Sequence, residues 1–462
     1  MGESLVDRSV AATDGPGQRL RIPPGPAGAV DLMTVRRDPL AFLTRMRAEY
    51  GDVSSHVIDE RVYLVNRPDL AHRVLAANRR NYVKAGTPDD QMLTPLLGRG
   101  LLTSDGEVWK RQRRISQPPF APERVIGFDG LITTATDELL AGWTAAAAGD
   151  QPLRLDHQLS GLTLAIVARA IFGSDLTGIN ERFGEAVDVL NRFMGHYDPM
   201  EDSASGQEAR ASFGKAVGFL NGLVGLLVQA RRLEGTEGRD DLLSRLIEGM
   251  ADDAGPAGQR DLRDQVVTML MAGHETTAKA LTWTLVLLDR HPEWARRLDD
   301  ELTTVLGDRV AAAGDLAQLP LCRRVIQESL RLYPPVWLLS RRSVRDDELG
   351  EFHVPAGTLV CVSPYILHRD ERFWDEPARF DPDRFTDRRS AARPDYAYLP
   401  FSGGPRQCIG RHFAMLEAQL VLATIRRHVR LALVEGHPIE PEALVTLRPR
   451  EGVLATVATR DG

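Results

Sequence analysis

Apolar positions along the chain change rhythm twice, and the changes sketch an architecture before any chemistry is considered. Between a proline-rich stop, Ile22-Pro23-Pro24-Gly25-Pro26, and about residue 85, short apolar runs such as Val62-Tyr63-Leu64-Val65 alternate with helical stretches such as Pro39 to Tyr50. That alternation predicts a small strand-containing lobe. From Glu107 to about Arg290 the spacing turns helical, as in Leu162, Ile166, Ala170 and in Val266, Leu270, so a large helical body is expected. After Arg345 short strands return: Phe352 to Val362 contains a Pro355-Ala356-Gly357 turn, and a last helix is expected over Arg411 to Val429. The polar, small-residue stretches 198–206 and 252–258 read as loops between helices rather than linkers. Proline fixes φ and lacks an amide hydrogen, so residues 1–24 are expected as a mobile tail and 25–462 as one folded domain.

Composition narrows the function classes. The 462 residues are 43% hydrophobic and carry a net charge of −7, which gives no overall attraction to nucleic acid or anionic lipid. Met1 to Arg21 lacks the apolar run of a signal peptide or membrane anchor. Three cysteines, Cys322, Cys361 and Cys408, imply no disulfide framework and suit a reducing, cytoplasmic compartment.

One of those thiols has unusual surroundings. Phe401-Ser402-Gly403-Gly404-Pro405-Arg406-Gln407-Cys408-Ile409-Gly410 feeds a helix N-terminus, where amides, the helix dipole, Arg406 and Arg411 are expected to favour a thiolate. Glycines 403, 404 and 410 would let the backbone approach a flat macrocycle. The segment resembles the haem-binding signature F-x-x-G-x-R-x-C-x-G of the cytochrome P450 family, through Phe401, Gly404, Arg406, Cys408 and Gly410. The resemblance makes Cys408 the iron ligand.

Further segments agree with it. Met271-Ala272-Gly273-His274-Glu275-Thr276-Thr277 resembles the family's central helix, which implies that Thr276 contacts bound dioxygen, that Glu275 is the acid of a proton relay, and that a small residue opens space over the iron. Ala272 and Thr276 stand i, i+4 on one face. Glu328-Ser329-Leu330-Arg331, followed by Leu332-Tyr333-Pro334-Pro335, resembles the family's E-x-x-R helix. The Pro377, Phe380, Pro382, Arg384, Phe385 segment implies that Arg384 joins Glu328 and Arg331 in a buried cluster supporting the haem loop. Trp109 and Arg113, at i, i+4, resemble the W-x-x-x-R helix. With Arg341 and Arg406 they are implied propionate ligands.

Taken together, the resemblance implies a mainly helical, triangular single domain with a small β lobe, enclosing haem b. The implied reaction inserts one oxygen atom from O2 into a C–H or C=C bond of a lipophilic small molecule: a terpenoid, polyketide or fatty-acid-like compound of bacterial secondary metabolism. Electrons are expected from a separate ferredoxin and ferredoxin reductase, and the protein is expected to be a monomer without nucleic-acid partner or membrane anchor. The basic residues Lys110 and Arg111 are candidates for docking an acidic electron donor. A peroxide-driven peroxygenase or a non-enzymatic haem sensor would have no use for the Glu275-Thr276 pair. Candidate substrate contacts are apolar: Met92, Leu93, Leu96, Leu97, Phe193, Met194, Val336, Trp337 and Leu338.

Overall fold

A sheet and a helical body divide the molecule, and the sheet is built from both ends of the chain. The computed structural model describes residues 21–147, 151–195, 204–250 and 255–460. The expected tail up to residue 20, residues 198–203 of one expected loop and 252–254 of the other lie outside them. Pro39–Tyr50 (α1) is a helix with Asp38 at its N-cap, accepting from Ala41 N, and proline at its first position. Val53–Val57 (β1), Arg61–Val65 (β2) and Tyr82–Val83 (β3) follow. They share one sheet with Leu339–Ser343 (β4) and Leu359–Val362 (β5), in the order β1-β2-β5-β4-β3.

Only β2 and β5 run parallel, with Val62 opposite Leu359 and Val65 opposite Val362. The helical body is therefore inserted between two neighbouring strands. Period-two alternation sorts β2 onto two cores: Val62 and Leu64 face Phe42, Leu43 and Met46 of α1, whereas Tyr63 and Val65 pack with Leu70, Val74 and Val360.

The N-terminal prolines are anchored. Ser55 Oγ donates to Pro23 O and Ser55 N to Pro24 O, each at 2.8 Å, and Arg21 bridges Phe352. Proline removes a donor but keeps its acceptor, so residues 21–24 dock on the lobe where a mobile tail was expected.

The body contains Gly106–Ser116 (α2), Leu155–Phe172 (α3), Asn180–Gly195 (α4), Ala204–Glu234 (α5), Pro256–Arg290 (α6), Pro320–Leu332 (α7) and Arg411–His428 (α8). The stretch Ser205–Glu234 is long and apolar enough to cross a membrane by composition. In the fold Leu220, Val224 and Leu227 of that helix are buried in the main core.

α6 is the axis of the body. Gly255 caps it and Pro256 opens it, so residues 256–258, expected in a loop, are its first turn. Its 35 residues extend roughly 50 Å. Buried hydroxyls are satisfied within the helix: Thr282 Oγ1 donates to Ala278 O and Thr284 Oγ1 to Ala280 O. A C-terminal hairpin, Pro441–Ala443 (β6) with Leu447–Pro449 (β7), folds back onto the body. Trp283 Nε1 of α6 donates to Leu447 O at 3.2 Å.

Candidate active site

The cysteine loop is held by its own backbone. Ser402 N donates to Leu399 O, Gln407 N to Gly404 O, and Cys408 N to Phe401 O at 2.9 Å, while Gly410 stands at the N-cap of α8. Phe401 is half-buried and packs against the main core. Gly404 has φ +67, and a Cβ there would lie 2.2 Å from Leu75 O; one at Gly403 would lie 2.5 Å from the Tyr396 ring. The chain's own packing thus demands these two glycines. At Gly410 an added Cβ would meet only Phe120, at ordinary contact distance.

The thiol departs from its expected electrostatics. Cys408 has accessible surface, yet it is crowded by protein atoms, and that desolvation raises its pKa. The Gly410 amide, Arg113 and Arg411 pull the other way without prevailing. Arg406 faces elsewhere: its guanidinium lies 4.7 Å from the Trp109 ring centroid and bonds Ser104 O and Asp105. Arg113 Nη1 donates to Gln407 O at 3.0 Å, beside the cysteine.

On α6, residues 264–288 are buried except for Ala272, Gly273 and Thr276. Ala272 and Thr276 share the i, i+4 face expected of them, and Thr276 Oγ1 donates to Ala272 O at 3.0 Å. Gly273 has another neighbour: a Cβ there would come 3.2 Å from Val167 Cγ2, so its missing side chain is where α3 packs rather than an opening. Glu275 is buried, and its Oε1 accepts from Asn191 Nδ2 of α4 and from Thr446 Oγ1 of the C-terminal hairpin, each at 2.7 Å. The acid therefore stands in contact with α4 and the hairpin.

Below lies the charge cluster. Arg331 donates Nε to Glu328 Oε2 at 2.7 Å and Nη2 to Glu328 Oε1 at 2.8 Å, both side chains at 0% exposure. Arg384 Nε lies 3.3 Å from Glu328 Oε1, a charge contact without hydrogen-bond geometry. Arg331 also donates to the carbonyls of His368, Pro377 and Arg379.

The candidate substrate contacts separate. Leu96 and Leu97 are buried in the core, Met92 and Leu93 lie half-buried against it, Met194 is buried and Phe193 stacks on Phe213 at 4.4 Å. Val336 is exposed. Trp337 and Leu338 instead pack against the α1–sheet core, and Trp337 Nε1 donates to Leu444 O at 2.9 Å.

The family model "Cytochrome P450" matches residues 24–455. The chain belongs to the cytochrome P450 family. It is 35% identical to "Cyclooctatin synthase" of Streptomyces melanosporofaciens over 90% of each chain. It is 33% identical to "Pentalenene oxygenase" of Streptomyces avermitilis, over 92% of this chain and 94% of that one. The crystal structure of the cytochrome P450DA heme domain superposes with a TM-score of 0.84 at 25% identity, covering 96% of this chain and 98% of that one. This P450 is accordingly a haem-iron monooxygenase that uses O2, an oxidoreductase acting on lipophilic small molecules.

Its residues suit a haem. Porphyrin propionates need buried cations, and the iron accepts a thiolate. Lys84, Arg341 and Arg406 act on one another electrostatically, with Asp89 and Asp105 the nearby acids. Arg406 Nη1 is buried without a partner. Lys84 was not foreseen by any motif; it donates Nζ to Leu102 O at 2.9 Å, and burial, then Arg341 and Arg406, push its pKa down to about 7. Surplus positive charge with an orphaned donor is what carboxylates would satisfy. Asn191 and Thr446 also escaped the sequence reading, because their contacts with Glu275 span 84 and 171 residues.

Two measurements follow from these clusters. Arg331→Met strands the Glu328 charge and should cost about 3–5 kcal/mol in chemical unfolding, part of which adding Glu328→Gln should recover. In haem-free P450, burial pushes the pKa of folded Lys84 down to about 7, whereas that of an unfolded lysine is about 10.4. Stability should therefore rise as pH climbs through that window, and Lys84→Gln should flatten the slope in melts recorded across it.

Proposed function

We propose that this P450 hydroxylates or epoxidises a terpenoid of bacterial secondary metabolism, in the cytoplasm, with electrons from a separate ferredoxin and its reductase. The observation that carries the reading is the break in burial at Ala272, Gly273 and Thr276, midway along a stretch of helix otherwise sealed from 264 to 288 that also bears a buried acid. Two relatives acting on terpenoids supply the substrate class. Cys408 would hold the iron of haem b, and Trp109, Arg113, Arg341, Arg406 and Lys84 its propionates. When bound, the haem supplies dioxygen binding and activation.

The chain's own residues would manage protons and substrate. Asn191 and Thr446 both bind Oε1 of Glu275, so Oε2 would be the oxygen left to take part in a relay. Thr276 Oγ1, bonded to Ala272 O at 3.0 Å, can release that carbonyl and pass a proton into the space beside it. Val336 and the hairpin tip around Leu444 to Thr446 would wall the substrate on the far side. Apolar walls select a lipophilic molecule by burial and exclude water from the reacting bond.

The deciding test is the absorption spectrum of the dithionite-reduced protein under carbon monoxide. Wild type should show the strongly red-shifted thiolate band and Cys408→Ser should lose it; a haem-loaded wild type without that band overturns the assignment. Turnover should require a reductant, which separates it from a peroxide-driven enzyme.

Electron delivery is assigned to the basic face of α2. Lys110 is exposed and pairs only locally, with Glu107 at 2.6 Å; Arg111 reaches Gly249 O at 3.1 Å. Replacing both by glutamine should weaken the salt dependence of reduction by an acidic ferredoxin, measured by stopped flow, with little change in fold.

A further inference from the structure

Between the charge cluster and the cysteine loop stands a side chain that neither motif contains. His368 is fully buried. Arg331 Nη1 donates to His368 O at 2.8 Å, while His368 Nδ1 lies 3.3 Å from Arg331 O, so the two residues bond reciprocally through side chain and backbone. At the far edge of the ring, Nε2 accepts the Leu399 amide at 2.7 Å. A backbone amide can only donate, so Nε2 carries no proton, and the neutral ring must carry it on Nδ1, facing the Arg331 carbonyl. Burial, with Arg331 and Arg369 beside it, holds the imidazole well below its usual pKa, in keeping with that tautomer.

The ring is fixed on its flanks as well. Tyr398 lies 5.1 Å away between centroids and Trp374 6.4 Å. Tyr398 Oη donates to Gln327 O and Trp374 Nε1 to Leu367 O. From Leu399 the loop is reached at once: Ser402 N donates to Leu399 O, and Cys408 N to Phe401 O.

We propose that His368 is the positioning residue through which the buried Glu328–Arg331–Arg384 cluster sets the register of the loop presenting Cys408. Its ring is a spacer of fixed width, with a donor on one edge for the cluster and an acceptor on the other for the loop. A one-residue slip at Leu399 would leave a buried amide without a partner and an imidazole nitrogen without a donor. The proposal rests on Cys408 being the iron ligand; the imidazole itself touches neither substrate nor iron and acts only through the loop.

The experiment compares haem-loaded His368→Gln, His368→Asn and His368→Phe with wild type and Cys408→Ser. Two signals are read: amide hydrogen exchange across Leu399 to Cys408, and the fraction of reduced carbon monoxide complex in the thiolate band. Glutamine can place its carbonyl where Nε2 accepted the Leu399 amide; asparagine reaches only toward Arg331; phenylalanine keeps ring volume and loses both bonds. His368→Phe should exchange about tenfold faster or more in that segment and lose part of the thiolate band. His368→Gln, which keeps the Leu399 bond but not the one to Arg331 O, should fall between wild type and His368→Phe in both signals.

If His368→Phe does not fold, the other pair decides, with His368→Asn expected to be the worse. The proposal falls if His368→Phe matches wild type, or if His368→Asn and His368→Gln behave alike. A Cys408→Ser protein that kept the thiolate band would overturn the ligand assignment. The exchange signal would still report the His368–Leu399 link.

Discussion

A carboxylate and two guanidinium groups with essentially no contact with water fix the rest of the site. Removing Glu328, Arg331 and Arg384 from solvent is costly, and they are tolerable only together and only with the carbonyls of His368, Pro377 and Arg379 turned toward Arg331. Such a cluster contributes little net stability. What it contributes is a single permitted arrangement of α7 and the segment from His368 to Phe385, because any other leaves a charge stranded in a low-dielectric interior. The cysteine loop is packed against that arrangement, and its glycines are shaped by Tyr396 and by the backbone of Leu75.

Local features were legible in the sequence because their signals are local. The bounds of α1 follow from Asp38, Pro39 and the period of Leu40, Leu43 and Met46; β2 follows from an unbroken apolar run between polar residues. The meeting of Glu328, Arg331 and Arg384 was reachable from three motif positions and a family resemblance. The partners of Glu275 were not, since Asn191 and Thr446 belong to segments whose own patterns carry no chemical mark. Lys84 was invisible for a similar reason: a lysine after a short strand has meaning only once Arg341 and Arg406 are folded against it.

Proline interrupts a helix, yet its carbonyl is an ordinary acceptor, and Pro23 and Pro24 are sewn to β1 through theirs. A glycine can give clearance to a ligand and also to the chain itself: Gly273 and Gly404 make room for Val167 and for Leu75. The helix N-terminus beside Cys408 does favour the thiolate, but desolvation of the sulfur is the larger effect.

The parallel pairing of β2 with β5 has a consequence for how the protein is made. Val62 to Val65 leave the ribosome long before Leu359 to Val362, which are to complete their sheet. At ordinary rates of synthesis the interval is on the order of fifteen seconds to a minute. Throughout it the edge of β2 that β5 is to occupy has no native partner in the nascent chain. A polypeptide truncated before β5 would keep that edge for good, which makes the timing of translation, as much as final stability, a determinant of how much soluble enzyme a cell obtains.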